Sequence, residues 1–411
     1  MKTLEIFSGA GGLAKGLELA GFQHEGFVEF NKDACQSLCR NFSPHRVFFG
    51  DIRNYDYSQL TDIDVVAGGP PCQPFSLGGK HRSDQDTRDM FPYAVEAIGK
   101  LNPKAFIFEN VKGLLRASFS DYFKYVILRL TFPDVHPLIA GNWQQHLNFL
   151  ASLNYDKYKG RKYRVSYQLL NAADYGVPQC RERVVIVGIR TDISAKWSFP
   201  SPGHSEERLL WDQYVTGEYW ERHRISRKNR PECPESMSAR VKKLRSVYGL
   251  FSPLSRPWLT VRDAIADVPD PQDNHGIPDH LFRDGARAYP GHTGSQLDWP
   301  AKTLKAGGHG VPGGENMIRY DDGSVRYFTV FEAKRIQTFP DDFVIAGAWG
   351  EAMRQIGNAV PVRLAKLIGT QLQRALRTAT ETAEDVALLD GRYAKYRAIG
   401  SFTEQESSSS L

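Results

Sequence analysis

The chain has 411 residues, of which 41% are hydrophobic and 24% charged, a composition typical of a globular protein with one large domain and a smaller one. Its net charge of +5 permits a polyanionic partner without requiring one. No apolar stretch approaches the length of a membrane-spanning helix, and five cysteines are too few, and odd in number, for a disulfide framework. We therefore expect a cytoplasmic protein in a reducing environment, with neither signal peptide nor membrane anchor.

Short β-branched or aromatic runs alternate with helical stretches from residue 3 to about residue 190. The first five runs are separated by helices, as in βαβ units that build a mostly parallel sheet. The sequence thus predicts an α/β fold with a Rossmann-like sheet, helices on both faces, and ligands bound beyond the carboxyl ends of the strands. The predicted strands cover residues 3–8, 25–30, 46–51, 64–67, 105–109, 163–171 and 182–189.

The character of the sequence changes after residue 190, where Pro, Gly, Arg, Trp and His become frequent and periodicity fades. We predict a smaller domain of loops and short strands over 191–345, then a helix over 351–378 that packs back on the first domain, residues 1–190, and completes it. Residues 221–245 carry nine Lys or Arg against three acids, which fits either a solvated face or a contact to a phosphate backbone. The tail 380–411 is predicted to be disordered.

Residues 7–13, Phe-Ser-Gly-Ala-Gly-Gly-Leu, lie between the first predicted strand and a helix. Such a loop presents free amides of a helix N-terminus to the polar groups of a cofactor. Gly9 and Gly11 begin a GxGxxG/A fingerprint, with Glu29 about twenty residues further on to bind ribose hydroxyls. Asp51, which ends the third predicted strand, could accept from an adenine amino group or simply cap a turn. This pattern alone does not separate a nicotinamide cofactor from S-adenosylmethionine.

Residues 68–76 read Gly-Gly-Pro-Pro-Cys-Gln-Pro-Phe-Ser and directly follow an apolar run. The prolines fix the backbone around Cys72, and the glycines let another molecule approach it closely. A single cysteine is more often a buried packing residue. A rigid position at the end of a strand nevertheless suits a nucleophile better.

Two further segments carry polar side chains toward the same predicted edge. Glu109 closes the fifth predicted strand and would face the crevice that contains Cys72. Gln179, Arg181 and Arg183 alternate along an extended segment, so they are predicted to point in one direction. Three convergent polar groups suit a phosphate or the edge of a base, and a surface ion pair is the alternative.

Taken in order, these segments resemble the DNA cytosine-5 methyltransferase family, bacterial restriction-modification type. The resemblance covers about residues 3–190 and 258–375, while 191–257 fall outside it, as the variable target-recognition region of that family would. Phe331 departs from the pattern, since related sequences commonly have arginine there. The matching stretches are FSGAGGL, GGPPCQPFS, ENVKGLL, QCRERVVIVG, VRDAIADVP, AKTLKAGGHGVPGGENM and QIGNAVPV.

The resemblance implies a covalent mechanism on a Rossmann-like methyltransferase sheet, with a smaller target-recognition domain beside it. The Cys72 thiolate would add to C6 of a cytosine flipped out of duplex DNA, which makes C5 nucleophilic enough to accept a methyl group. Glu109 would hold N3 and the exocyclic amine, and Arg183, together with Arg181, would hold O2 or neighbouring phosphates. Contacts to the substrate or the DNA backbone are further implied for Gln73, Ser76 and Gln179.

The cofactor implied by the resemblance is S-adenosylmethionine, with no metal. The implied partners are double-stranded DNA and, functionally, a cognate restriction endonuclease, and we expect a monomer. Residues 77–91 resemble a lid that closes over DNA. The residues implied to bind the cofactor are Phe7, Gly9, Gly11, Leu13, Glu29, Phe30, Asp51, Ile52, Gly69, Asn358 and Val360.

Three alternatives stay open at this point. An RNA cytosine-5 methyltransferase would share the chemistry, but the large, basic segment 191–298 favours a DNA-clamping domain. A catalytically silent DNA-binding relative is disfavoured because Cys72, Glu109, Arg181 and Arg183 are all present. A nicotinamide-dependent dehydrogenase would explain the glycine loop but neither the Pro-Pro-Cys nor the Gln-x-Arg-x-Arg segment. The target site cannot be read from the sequence, because base readout depends on a few side chains that no rule assigns here.

Overall fold

The computed structural model describes residues 1–71, 89–137, 142–306 and 316–380. Cys72, Gln73 and Ser76 lie outside the described residues, as do most of the predicted lid and the predicted tail beyond Thr380. Within the described ranges, no helix combines the length and apolar character needed to cross a membrane.

A seven-stranded sheet with the order β3-β2-β1-β4-β5-β7-β6 forms the centre of the first region. The first five strands in this order are parallel, whereas β7 runs antiparallel to both β5 and β6. The mostly parallel sheet is confirmed, and no predicted strand end is displaced by more than two residues. The strands are β1 (Lys2–Ile6), β2 (Gln23–Glu29), β3 (Val47–Phe49), β4 (Val65–Gly68), β5 (Ala105–Val111), β6 (Tyr163–Asn171) and β7 (Glu182–Arg190).

Helices cover both faces of the sheet, as predicted. Successive residues of a strand point to opposite faces, and here both faces are buried: Phe106 packs in a core with α3 and α4, and Ile107 in a second core with α1. Burial on both faces explains why these strands are continuous apolar runs. The helices of this region are α1 (Gly12–Leu19), α2 (Lys32–Asn41), α3 (Phe91–Leu101), α4 (Ser120–Thr131) and α5 (Trp143–Ser152).

The second region contains more helix than the predicted loops and short strands. The helices Glu206–Tyr214 and Glu235–Tyr248 bury Leu210, Trp211 and Val241 in a shared core. Phe331, at the position where related sequences commonly have arginine, is also buried, and the Arg335 guanidinium lies 5.0 Å from its ring centre. The domain boundary near residue 190 stays a prediction. The elements are β8 (His204–Ser205), α6 (Glu206–Tyr214), α7 (Glu218–Arg222), α8 (Glu235–Tyr248), β9 (Arg256–Pro257), α9 (Val261–Ile265), β10 (Ser295–Gln296), β11 (Met317–Arg319), β12 (Val325–Tyr327) and α10 (Val330–Ile336).

Two helices stand where the sequence predicted one over 351–378. Helix α11 (Trp349–Asn358) ends before Pro361, and α12 spans residues 362–380. Proline disfavours a helical residue before it and donates no amide hydrogen, so the break falls there. Residues 355–358 are therefore the last turn of α11. A Cβ on Gly16 would overlap Ala365, so α1 and α12 pack backbone to backbone.

Candidate active site

The carboxyl ends of four neighbouring parallel strands meet at one edge of the sheet. Ile6, which ends β1, pairs with Val28 on one side and with Gly68 on the other, and Gly68 pairs with Phe108. From β1 the chain continues to β2 and β3 on one side, and then to β4 and β5 on the other side of β1. Ligands bind at the carboxyl edge of such sheets where the strand order reverses in this way. The glycine loop and the residues that follow β2, β4 and β5 come together at this edge, as predicted from their strand-end positions.

The glycine loop wraps the carboxylate of Glu29. The amide of Gly9 donates to Glu29 Oε2 at 2.7 Å, and Oε1 accepts from the amides of Phe30 and Asn31 at 3.0 and 2.8 Å. Gly9 has a φ of +54° and Phe7 one of +53°, a left-handed conformation that is uncommon for a bulky residue and is found at functional sites. Glu29 thus has a fixed orientation beside a strained loop.

Space is open in front of this loop. A Cβ on Gly9 would meet no atom of the described residues within 4 Å, and the Phe30 side chain is 73% exposed although it is aromatic. Leu13 and Ile52 are buried, while Asn358 is exposed at the end of α11. The site therefore offers an apolar ring and a fixed carboxylate at one surface.

Asp51 is engaged within its own turn. Its Oδ1 accepts from the amide and Nε of Arg53, both at 2.9 Å, and caps the turn Ile52–Asn54. The hydrogen bond from the Arg53 side chain lowers the pKa of Asp51. In the structure Asp51 therefore caps a turn, one of the two roles predicted for it. A contact between Asp51 and a cofactor stays a prediction.

Glu109 and Arg183 form an ion pair where β5 and β7 meet. The Arg183 Nε lies 2.6 Å from Glu109 Oε1, and the two side chains are only 12% and 11% exposed. The contact is not aligned as a hydrogen bond, so Oε1 is a buried acceptor without a hydrogen-bond donor among the described residues. A ligand with a donor could satisfy it, since buried polar groups are normally hydrogen-bonded.

The chain that leads to Cys72 is fixed beside this pair. Asn110 Nδ2 donates to the carbonyl of Pro70 at 2.9 Å, and the Met90 amide donates to that of Pro71 at 3.1 Å. A Cβ on Gly69 would lie 3.5 Å from Glu109 Oε2. Cys72 follows Pro71 directly in the chain. Sequence reasoning missed Asn110, although a short amide after the strand-ending glutamate could have indicated a backbone contact.

Gln179 and Arg181 do not converge with Arg183, which corrects the prediction that all three point in one direction. Both side chains have no exposed surface. Gln179 Oε1 accepts from the Leu304 amide at 3.2 Å, and Arg181 donates to the carbonyls of Leu304 and Gly357. Strand β7 begins only at Glu182, so strand alternation does not apply to the residues before it.

The basic residues of 221–245 divide into two groups. Four are bound by neighbouring groups: Arg222, Arg230, Arg240 and Arg245. The other five are exposed, and no acidic side chain lies within ion-pair distance of them in the described part of the chain. These five residues, called the basic surface below, are Arg224, Arg227, Lys228, Lys242 and Lys243.

A buried carboxyl group lies beneath the glycine loop. Glu5 in β1 is 1% exposed, and burial raises the pKa of its carboxyl well above the ordinary value, against the effect of a hydrogen bond from the Ala14 amide. Glu5 therefore stays neutral to a higher pH than an exposed glutamate does. Sequence patterns do not indicate this burial, because a glutamate at the start of the chain is usually a surface residue.

A family model described as C-5 cytosine-specific DNA methylase matches residues 1–133 and 142–374. The chain belongs to this family. It is a DNA cytosine-5 methyltransferase, which confirms the resemblance found in its motifs and excludes the dehydrogenase alternative.

Individual relatives match this methyltransferase over nearly its full length. The Type II methyltransferase M.PspPI of Psychrobacter sp. is 31% identical over 383 residues, covering 92% of this chain and 80% of that protein. The Type II methyltransferase M.NgoMIV of Neisseria gonorrhoeae is 30% identical over 379 residues, covering 91% and 98%. A crystal structure of a protein encoded within an E. coli prophage has a TM-score of 0.56 at 19% identity, covering 92% of this chain and 99% of that one. That structure shares the fold.

Proposed function

We propose that the enzyme methylates C5 of a flipped cytosine in a specific short sequence of duplex DNA, through a transient covalent bond between Cys72 and C6. The observation that carries this proposal is the buried Glu109–Arg183 pair, 2.6 Å apart, beside the anchored Pro70–Pro71 segment that leads directly to Cys72. Nucleophile, carboxylate and cation would then meet at one strand edge.

Each residue has a separate task in this mechanism. The Cys72 thiolate adds to C6, and the electron density moves into the ring toward N3. Glu109 Oε1, for which the described residues provide no hydrogen-bond donor, accepts from the exocyclic amine, and a proton shared with N3 neutralises the charge that develops there. Arg183 keeps Glu109 in place and reaches toward O2 of the base. After methyl transfer a base removes the C5 proton, and elimination returns the thiolate.

The residues around the glycine loop fit S-adenosylmethionine. The fixed carboxylate of Glu29 can accept from ribose hydroxyls, and the exposed ring of Phe30 can cover the face of an adenine. The open side of Gly9 leaves room for the ligand to approach the backbone. The bound cofactor would supply an electrophilic methyl group. We propose Phe7, Gly11, Leu13, Ile52, Gly69, Asn358, Val360 and Asp51 as the remaining lining of this pocket.

The cellular role follows from the relatives. Those compared above are Type II methyltransferases, and we propose that this chain likewise protects host DNA from a cognate restriction endonuclease. Methylated host DNA would resist cleavage at the sites that the enzyme modifies.

The proposal is tested in two steps. Bisulfite sequencing of DNA from cells that express the chain should reveal one short methylated sequence, which also identifies the target. The purified enzyme, incubated with S-adenosylmethionine and a duplex that carries 5-fluorodeoxycytidine at this cytosine, should then form an adduct resistant to denaturant, because fluorine at C5 blocks elimination. Robust methyl transfer to tRNA with none to duplex DNA would instead support the RNA methyltransferase alternative and overturn our proposal.

A further inference from the structure

Arg181 is a cationic side chain with no exposed surface. Its Nη1 donates to the carbonyl of Leu304 at 3.1 Å and its Nη2 to that of Gly357 at 2.7 Å, while Nε has no partner among the described residues. No carboxylate of the described chain lies within ion-pair distance of it. Burying a guanidinium whose hydrogen bonds in the described chain go only to carbonyls costs free energy, so this position calls for an explanation beyond packing.

The two carbonyls belong to segments that lie far from Arg181 in the sequence. Leu304 is 123 residues away and Gly357 is 176 residues away. These segments also touch each other, because a Cβ on Gly357 would lie 2.6 Å from the amide nitrogen of Ala306. One guanidinium therefore holds three pieces of chain at a junction without free space.

On one side, this junction adjoins the base pocket. Arg181 lies two residues before Arg183, whose guanidinium contacts Glu109. The backbone between them is fixed as well, since the Arg181 amide donates to Asn171 Oδ1 at 3.2 Å and its carbonyl accepts from the Ala172 amide at 2.9 Å. A displacement of Arg181 would therefore displace Arg183.

On the other side, the junction adjoins the cofactor pocket. Gly357 precedes Asn358, and a Cβ on Gly12, at the start of α1, would overlap the carbonyl of Val360. Gln337 Nε2, also buried, donates to the carbonyl of Ile356 at 2.7 Å. The end of α11 is thus packed against the glycine loop and held by two buried side chains, one of which is Arg181.

We infer that Arg181 is a positioning residue that couples the target-base pocket to the cofactor pocket, so that DNA and cofactor each strengthen the binding of the other. A ligand that shifts the end of α11 moves the Gly357 carbonyl, and through Arg181 and the close-packed junction it also shifts the segment that carries Arg183. The second ligand then meets a site that is already in the bound arrangement. This inference rests on the proposed function, because it requires that Arg183 and Asn358 lie in the two pockets named above.

The test measures a coupling factor, using S-adenosylhomocysteine as the probe. Its dissociation constant is determined by titration calorimetry for the free enzyme and for the enzyme saturated with a duplex that carries the mapped site. In the wild type we expect binding to tighten about tenfold with DNA, within the usual range of such couplings. In Arg181→Lys, which keeps the charge but cannot reach both carbonyls, the factor should fall to about one, and the affinity of the free enzyme should change by less than about twofold.

Two further variants separate coupling from a general loss of stability. Gly357→Ala forces a methyl group into the same junction and should also abolish the coupling. Arg326→Lys changes an arginine whose side chain is 13% exposed and binds Glu332 through two hydrogen bonds of 2.7 and 2.6 Å, and it should leave the factor unchanged.

A wild-type factor near one, or an unchanged factor in Arg181→Lys, would overturn the inference, as would loss of coupling in all three variants alike. Failure of the proposed function is distinguishable from these outcomes, because it would appear as a wild-type enzyme that neither methylates DNA nor forms the fluorocytosine adduct.

Discussion

The carboxyl edge of the sheet and the basic surface on the second region both carry charge, but the two hold it in opposite ways. At the sheet edge, Glu109 and Arg183 are nearly buried and paired, and three backbone amides fix Glu29. On the basic surface, residues such as Lys242 and Lys243 project from α8 into solvent, with no acidic partner in the described part of the chain.

The difference follows from what each region has to do. Stabilising charge on a reacting base requires groups that are already oriented when the reaction begins. Attraction to a polyanion requires only mobile cations that can displace counterions along the backbone. Substitutions at the sheet edge should therefore change the chemical step, and substitutions on the basic surface should change the salt dependence of binding.

The largest effect is expected at Cys72. Cys72→Ala should lower kcat by more than about 10³-fold, because no other group can form the bond to C6, while binding of S-adenosylhomocysteine stays nearly intact. Cys39→Ala, which removes a free thiol from α2, should retain activity. Methylation by the Cys72 variant at a rate comparable to wild type would disprove the covalent mechanism.

Glu109 should give the next largest effect. Glu109→Gln keeps the shape of the side chain but loses the charge that pairs with Arg183 and the ability to share a proton with N3, so we expect kcat to fall by about 10²–10⁴-fold. The matched control is Glu182→Gln, which changes a carboxylate on the same edge that instead pairs with Lys112 at an exposed position. Single-turnover rates with the mapped duplex measure the effect of both substitutions. Equal losses of rate in the two variants would mean that the buried carboxylate has no special role in the reaction.

Substitutions on the basic surface should change the salt dependence of DNA binding and not the reaction rate. Replacing Lys242 and Lys243 by Ala should reduce the slope of log affinity against log salt by about 1.8, because each phosphate that a lysine no longer neutralises lowers the slope by about 0.9. At saturating DNA, kcat should be unchanged. The control is the exposed pair Lys157 and Lys159. This pair precedes β6, at the edge of the sheet opposite the carboxyl edge. An unaltered slope in the α8 variant would mean that this surface is only solvated.

The smallest effect concerns Glu5 and appears in stability alone. Because burial raises the pKa of Glu5 in the folded state, its contribution is complete below the unfolded pKa of about 4.3 and is lost as the pH rises toward the folded value, by up to about 1.4 kcal/mol per pH unit. Glu5→Gln cannot ionise, so its Tm relative to wild type should increase as the pH rises above the unfolded pKa. Glu96→Gln, at an exposed ion pair with Lys100, should show no such trend.

The framework of the sheet edge could be predicted from the sequence, since the positions of Glu29 and Glu109 at strand ends follow from apolar runs and their order. The contact from Asn110 to Pro70 could not, because it depends on a side-chain rotamer that residue patterns leave open. Capping of a turn was one of two predicted roles for Asp51, and its hydrogen bonds to Arg53 show that cap. Helices α6–α8 were missed because exposed cations and prolines outnumber the few apolar residues, such as Leu210 and Val241, that form their core.

The sequence by itself determined which residue types take part in the proposed reaction. It also determined that the strands form a mostly parallel sheet and that these residues lie at its carboxyl edge, because strand periodicity and motif spacing are local properties of the chain. Only the tertiary structure decided that Arg181 is buried against Leu304 and Gly357 while Arg183, two residues later, meets Glu109. It also decided which cations of 221–245 have partners. Such assignments depend on contacts between residues far apart in the chain. Local sequence patterns do not indicate which distant residue will contact a given side chain in the folded protein.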